Sequence, residues 1–281
     1  MELIEAAWGV EKRMGFLKDL VKYEFLRNAL MIVVLSSTLS GIVSPVIVYK
    51  RMEFIGDGLA HAIFAGVALS VLLNFDVLTG AFLATFLFAF LIYQLNKEKF
   101  VSESTAIGLL LPVFMSVGVV LFSKTDRYTT DVTSYLFGNL LLVTKQDILL
   151  ILLTAIATAL ISYNLRYEIA YWIFDEEMAS FYGVNVKRIK LLVFILISFT
   201  VVATLKVAGV VVMGAFLVIP GVFAKSCARS FQNSIMRSVI FNVINSVFGF
   251  LIAYYLDLPP GPTIVLLSFL SLIFSLAIRR C

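Results

Sequence analysis

Charge is scarce in this chain: Asp, Glu, Lys and Arg make up 14% of its 281 residues, against about 25% in ordinary soluble domains. Histidine occurs once, as His61, and cysteine twice, as Cys227 and Cys281, with no CxxC pair between them. No disulfide framework is implied. The phosphate-binding pattern GxxxxGK[ST] is absent, and not one Gly-Lys dipeptide occurs. A nucleotide site of that type is therefore excluded, and any ATP-driven step belongs to a separate chain. The first 28 residues contain no apolar core followed by a small-residue cleavage site, so no removable signal peptide is expected. The formal net charge of +4 gives no hint of nucleic-acid binding.

Apolar residues fill the space that charge leaves. They form 61% of the chain and lift its mean hydropathy to +1.01. Nine blocks lack Asp, Glu, Lys and Arg altogether: 29–48, 58–75, 77–95, 104–123, 148–165, 191–205, 207–224, 238–256 and 262–278. Most approach the ~20 residues that carry a helix across a ~30 Å hydrocarbon core. The expected fold is all-α, a polytopic bundle of about nine spans, with residues 1–28 as an amphipathic amino-terminal tail and 29–281 as the membrane domain. Lys206 alone separates the sixth block from the seventh, so the two also read as one helix interrupted near Gly209.

Basic residues favour the cytoplasmic side of short loops. With the amino terminus outside, thirteen fall inside: Lys50, Arg51, Lys97, Lys99, Arg166, Lys187, Arg188, Lys190, Lys225, Arg229, Arg237, Arg279 and Arg280. The reverse threading puts nine inside, among them the five of the tail. An outside amino terminus and a cytoplasmic carboxyl terminus are therefore expected. Splitting 191–224 into two spans keeps Lys225, Arg229 and Arg237 inside, which prefers nine spans to eight.

Two connections stand out. In residues 166–190, Asp175 can cap a short helix whose first turn holds Glu176 and Glu177, and Gly183 can end it in the left-handed conformation. A helix of two turns is not stable alone. It is either a surface loop helix or a knob that docks on a partner. In residues 124–146, the apolar run Val132 to Val143 is too short to span and reads as re-entrant or interfacial, or as a cover for span ends.

The stretch Ile55-Gly56-Asp57-Gly58-Leu59-Ala60-His61 opens the second span. Asp57 and His61, four residues apart, share one helical face. An acid inside a span costs about 2.5–3.5 kcal/mol on insertion scales, so Asp57 should face protein or a wet path. A carboxylate beside an imidazole suits zinc, manganese or iron, and two ligands per chain favour transient binding during passage. The alternative is an acid and a histidine bonded to each other or to backbone. Asn242, Asn245, Ser116, Thr200 and Thr204 read as helix-packing contacts. Met115 and Met213 read as packing or as soft metal contacts, while Pro112, Pro220 and Pro259-Pro260 mark kinks or breaks.

The run Arg51-Met52-Glu53-Phe54-Ile55-Gly56-Asp57-Gly58-Leu59-Ala60-His61-Ala62, with Gly66-Val67-Ala68-Leu69 after it, resembles the metal-ion ABC importer permeases for zinc, manganese and sometimes iron. Glu103 to Gly108, Tyr135 to Asn139, Tyr182 to Asn185, and Lys206-Val207-Ala208-Gly209 through Val218-Ile219-Pro220 are similar to that family's pattern in the same order. The resemblance runs from about residue 29 to the end; the charged tail before it departs from the family.

That resemblance implies a type II importer-like permease in a bacterial cytoplasmic membrane. Its partners would be a second copy of itself, two cytoplasmic ATP-binding subunits, an extracytoplasmic metal-binding protein and lipid. It places the pathway acid and histidine on Asp57 and His61. It places a coupling helix on about 175–183, with Asp175, Glu176, Glu177, Ala179, Tyr182 and Gly183 as contacts. No permanently bound cofactor is implied, a divalent zinc or manganese ion being cargo. Two rivals remain: a permease for a chelate such as a siderophore or cobalamin, and a secondary carrier driven by protons or sodium.

Overall fold

The computed structural model describes residues 15–97, 101–124, 140 and 143–280. Outside them lie the first part of the tail, Lys99, Arg127, most of the apolar run after Val132 with Gly138 and Asn139, and Cys281. Every regular element described is helical.

Helix α1 (Phe16–Lys22) precedes α2 (Glu24–Tyr49), α3 (Ile55–Leu73), α4 (Val77–Asn96), α5 (Glu103–Phe122) and α6 (Lys145–Asn164). Two short helices, α7 (Arg166–Phe174) and α8 (Glu176–Phe181), lead to α9 (Val186–Cys227), α10 (Phe231–Leu256) and α11 (Pro260–Arg280). Side chains already visible in the sequence set several starts. Asp76 accepts the Thr79 N–H at 2.7 Å ahead of α4, and Ser102 accepts that of Thr105 at 3.2 Å ahead of α5. Thr144 and Asp147 form a reciprocal capping box on α6. Helix α2 begins at Glu24, five residues before the uncharged block, because its exposed first turn tolerates a charge that pairs with Lys145 at 2.9 Å.

Helix α9 holds both the sixth and the seventh uncharged blocks. Forty-two residues of straight helix would reach about 63 Å, twice the hydrocarbon core. It breaks instead at Gly209, whose φ of 70° and ψ of 165° suit only glycine. The Thr204 hydroxyl lies 3.5 Å from the Met213 sulfur, although nine residues of straight helix would separate them by about 13 Å. Lys190, near the start of α9, pairs with Glu103, and Lys225, near its end, sits 5.2 Å from the Tyr49 ring centre. Both ends of α9 thus lie at the Lys50 end of the bundle, and the chain goes out and returns. Among the described residues, eight helices are long and apolar enough to cross a membrane, and the returning arm contributes a shorter apolar helix, Met213–Cys227.

Contacts at the other helix ends fit strict alternation. Tyr49 meets Ser234 at 3.1 Å, whereas Asp19 accepts from Tyr254 and Lys145 pairs with Glu24 at the opposite end. Helix α1 packs there on α10, with Phe16 edge-on to Tyr254 at 5.2 Å. The core is formed by α2, the outgoing arm of α9 and α3, whose apolar windows are 78%, 72% and 67% buried; α6, at 17%, lies on the periphery. Between helices, polar groups meet as packing contacts: Asn242 of α10 donates to the Ser37 carbonyl and the Ser40 hydroxyl of α2 at 2.9 and 2.8 Å, and Ser271 of α11 donates to Asn245 of α10 at 2.6 Å.

Candidate functional site

Asp57 and His61 both lie in α3, which starts two residues before Asp57. One helical turn therefore separates them, and both side chains are half-buried, neither sealed in the core nor free. His61 acts electrostatically on the Asp57 carboxylate, which lies close against the Gly214 backbone. Gly214 lies in the returning arm of α9, so the break at Gly209 brings that arm's backbone against the acid on α3. Gly56 permits the close crossing: a Cβ there would stand 3.1 Å from the Gly214 Cα. Sequence reasoning named Asp57, His61 and the break but missed Gly214, whose contact spans more than 150 residues and leaves no local signal.

The arrangement offers two ligand-type side chains, both half-buried. Among the described residues, no group of three or more His, Cys, Asp and Glu side chains converges. A site of one carboxylate and one imidazole can replace part of an ion's water shell without retaining the ion. Met213 is fully buried against Thr204, and Met115 is exposed on α5, so both are accounted for by packing and surface position.

A second constellation occupies the Lys50 end. Asp175 caps α8 by accepting the N–H groups of Glu177 and Met178 at 3.0 and 2.9 Å, and Gly183 follows it with φ of 82°, the local geometry that the sequence predicts. Lys50 donates to the Trp172 carbonyl at 3.2 Å, stands 4.5 Å from the Trp172 ring centre and lies 3.9 Å from the Glu176 carboxylate. Burial pulls the Lys50 ammonium below the usual lysine range, while Glu103 and Glu176 oppose that shift. Lys190 pairs with Glu103 at 2.6 Å and also donates to Asn96. A cavity of about 550 Å³ opens between α4, α8 and the start of α9, bordered by Asn96, Lys97, Glu176, Glu177, Lys187 and Lys190.

The expected partner contacts on α8 divide by face. Asp175, Glu177, Tyr182 and Gly183 are exposed, whereas Glu176 turns toward Lys50 and Ala179 is fully buried, fixing the helix to the bundle. Phe181, which the sequence reading did not single out, is 82% exposed with its ring edge-on to that of the exposed Tyr182, against which Tyr171 also packs. An aromatic patch that open is uncommon on a finished surface.

Broken and continuous helices spanning a bilayer, with a polar pair beside the break and a capped helix at one end, define a multi-pass transport permease. Residues 22–279 match the ABC 3 transport family, and the chain belongs to it. It is 47% identical over 260 residues to a Thermotoga maritima protein named "Probable metal transport system membrane protein", covering 92% of each chain. Against the manganese transport system membrane protein MntC of Listeria monocytogenes the identity is 28%, covering 94% of this chain and 93% of that one. The solved structure of PsaBC from Streptococcus pneumoniae in complex with Fab includes a chain that superposes with a TM-score of 0.81 at 29% identity, covering 92% of this chain and 94% of that one.

Proposed function

We propose that this chain is the permease subunit of an ATP-driven importer that carries a divalent metal ion, manganese, zinc or iron, into the cytoplasm. The observation that carries the reading is the Asp57–His61 pair, half-buried one turn apart inside a span and set against the broken helix α9. Relatives named for metal and manganese transport support the same cargo. ATP hydrolysis takes place in separate cytoplasmic subunits, since this chain has no phosphate loop.

The Lys50 end faces the cytoplasm in this reading, and the amino-terminal side of α2 faces outward, where a metal-binding protein delivers the ion. A second copy of the chain completes the pathway. Helix α8 is the coupling element: Tyr182, Phe181 and Glu177 meet the ATP-binding subunit, while Ala179 and Glu176 transmit its push to the bundle. Asp57 and His61 hold the ion weakly enough to release it.

Uptake of radioactive manganese and zinc into vesicles holding the complete ATP-driven complex tests this. Asp57→Ala and His61→Ala each lower uptake at least tenfold while leaving assembly with the ATP-binding subunits intact. Undiminished uptake by both variants would overturn the reading. A chelate permease predicts the opposite pattern, with His61→Ala sparing uptake of a metal–siderophore complex.

A further inference from the structure

We infer that Gly214 is a positioning residue for the transported ion: its missing side chain leaves the room in which the Asp57 carboxylate takes the orientation that, with His61, receives the metal. The inference rests on the proposed role of Asp57 and His61. Two observations carry it. Helix α9 breaks at Gly209, and its returning arm crosses α3 closely where Gly214 meets Gly56. The second is space: a Cβ on Gly214 would collide with an Asp57 carboxylate oxygen and would come within 3.0 Å of the other. The carboxylate therefore lies flat against the Gly214 backbone, in room that any other residue would fill.

A carboxylate pressed against backbone on one side cannot rotate freely. The plane of the carboxylate is thus set by α9, not by α3 that carries it. The Thr204 hydroxyl contact to the Met213 sulfur ties the returning arm to the outgoing one immediately before Gly214. Any change in the bend at Gly209 moves the Gly214 backbone that orients Asp57, so ion affinity and the shape of α9 are linked in both directions.

The test uses the complete ATP-driven complex in vesicles with manganese chloride as the probe, and compares Gly214→Ala with Gly221→Ala. Gly221 is an equally crowded crossing in the same arm, where an added Cβ would come within 2.6 Å of the Ser44 carbonyl oxygen and away from any carboxylate. Gly214→Ala raises the half-saturating manganese concentration at least tenfold, while Gly221→Ala alters turnover without moving it more than twofold. A half-saturating concentration within twofold of the parent in Gly214→Ala, or an equal rise in both variants, overturns the inference.

A double-variant comparison on the same complex gives a second readout. Gly214→Ala lowers the thermal unfolding midpoint in the parent, because the added Cβ meets the carboxylate, and lowers it less than half as much in Asp57→Ala, where that carboxylate is gone. An equal loss in both backgrounds overturns the inference as well. If Asp57→Ala abolishes uptake but neither signature of Gly214 appears, the proposed function stands and this inference falls; if Asp57→Ala and His61→Ala both transport normally, the proposed function falls first.

Discussion

Lys190 and Glu103 sit 2.6 Å apart with side chains only 6% and 15% exposed, so each charge depends on the other for compensation. Asn96 adds a second acceptor to Lys190 and donates to the Val101 carbonyl at 2.6 Å, joining the ends of α4, α5 and α9. Removing one partner of such a pair typically costs about 3–5 kcal/mol, whereas replacing both with apolar groups of similar size is often neutral. Lys190→Met and Glu103→Gln should each lower the thermal unfolding midpoint of the detergent-purified chain, and Glu103→Leu with Lys190→Met should recover most of the loss. Equal midpoints for the single variants and the parent would show that the pair contributes nothing.

The Asp76 cap titrates differently because it is open to water. The Thr79 N–H and hydroxyl hold its carboxyl below the usual value of 3.8. A depressed acid contributes stability that is present above its unfolded pKa and lost as pH falls through its folded pKa. Asp76→Ala should therefore cost about 1 kcal/mol near neutrality, and the gap to the parent should close below about pH 4. A gap that persists unchanged at pH 3 would rule out the carboxylate as its source.

At the scale of elements, what could be read from the sequence was what is local. Uncharged runs mark spans because lipid excludes charge whatever the tertiary fold, and Asp175 and Gly183 mark α8 because capping needs only neighbouring residues. Ala179 was placed on the partner surface for want of a periodic signal: six helical residues are too few to show which face meets the bundle. Lys206 and Gly209 mark the interruption of α9, since glycine takes up the backbone conformation found there. Pairings across the chain, such as Gly214 with Asp57 or Lys50 with Trp172, depend on the fold and had no sequence signal. The local part is testable on α8. Gly183, at φ of 82° with open space around it, admits a side chain sterically but not conformationally; a β-branched residue there meets a left-handed penalty of about 1–2 kcal/mol. Gly183→Val should weaken co-purification of the ATP-binding subunits, and Gly183→Asn, a residue that tolerates this conformation, should retain it.

For the molecule as a whole, the distribution of ionisable groups bears on the energy source. Among the described residues, Asp57 stands in the first turn of α3 with His61 one turn further into that span, while Glu103, Lys190, Glu24 and Lys145 sit at helix termini. A carrier driven by protons or sodium needs ionisable or ion-coordinating groups deep in several spans, so that one flux can be tied to another. Here the strongest ionic coupling lies at the Lys50 end instead, where Lys50 contacts Glu176 of α8 and the Trp172 carbonyl of α7. That placement suits a force applied from the cytoplasmic face to α8 and passed into α2, α5 and α9. Vesicles containing this chain alone should therefore show no manganese accumulation under an imposed proton or sodium gradient, and addition of the ATP-binding subunits with ATP inside the energised compartment should restore it. Gradient-driven accumulation by the isolated chain would contradict the importer reading, because the energy would then enter through the spans and α8 would have no partner to answer to.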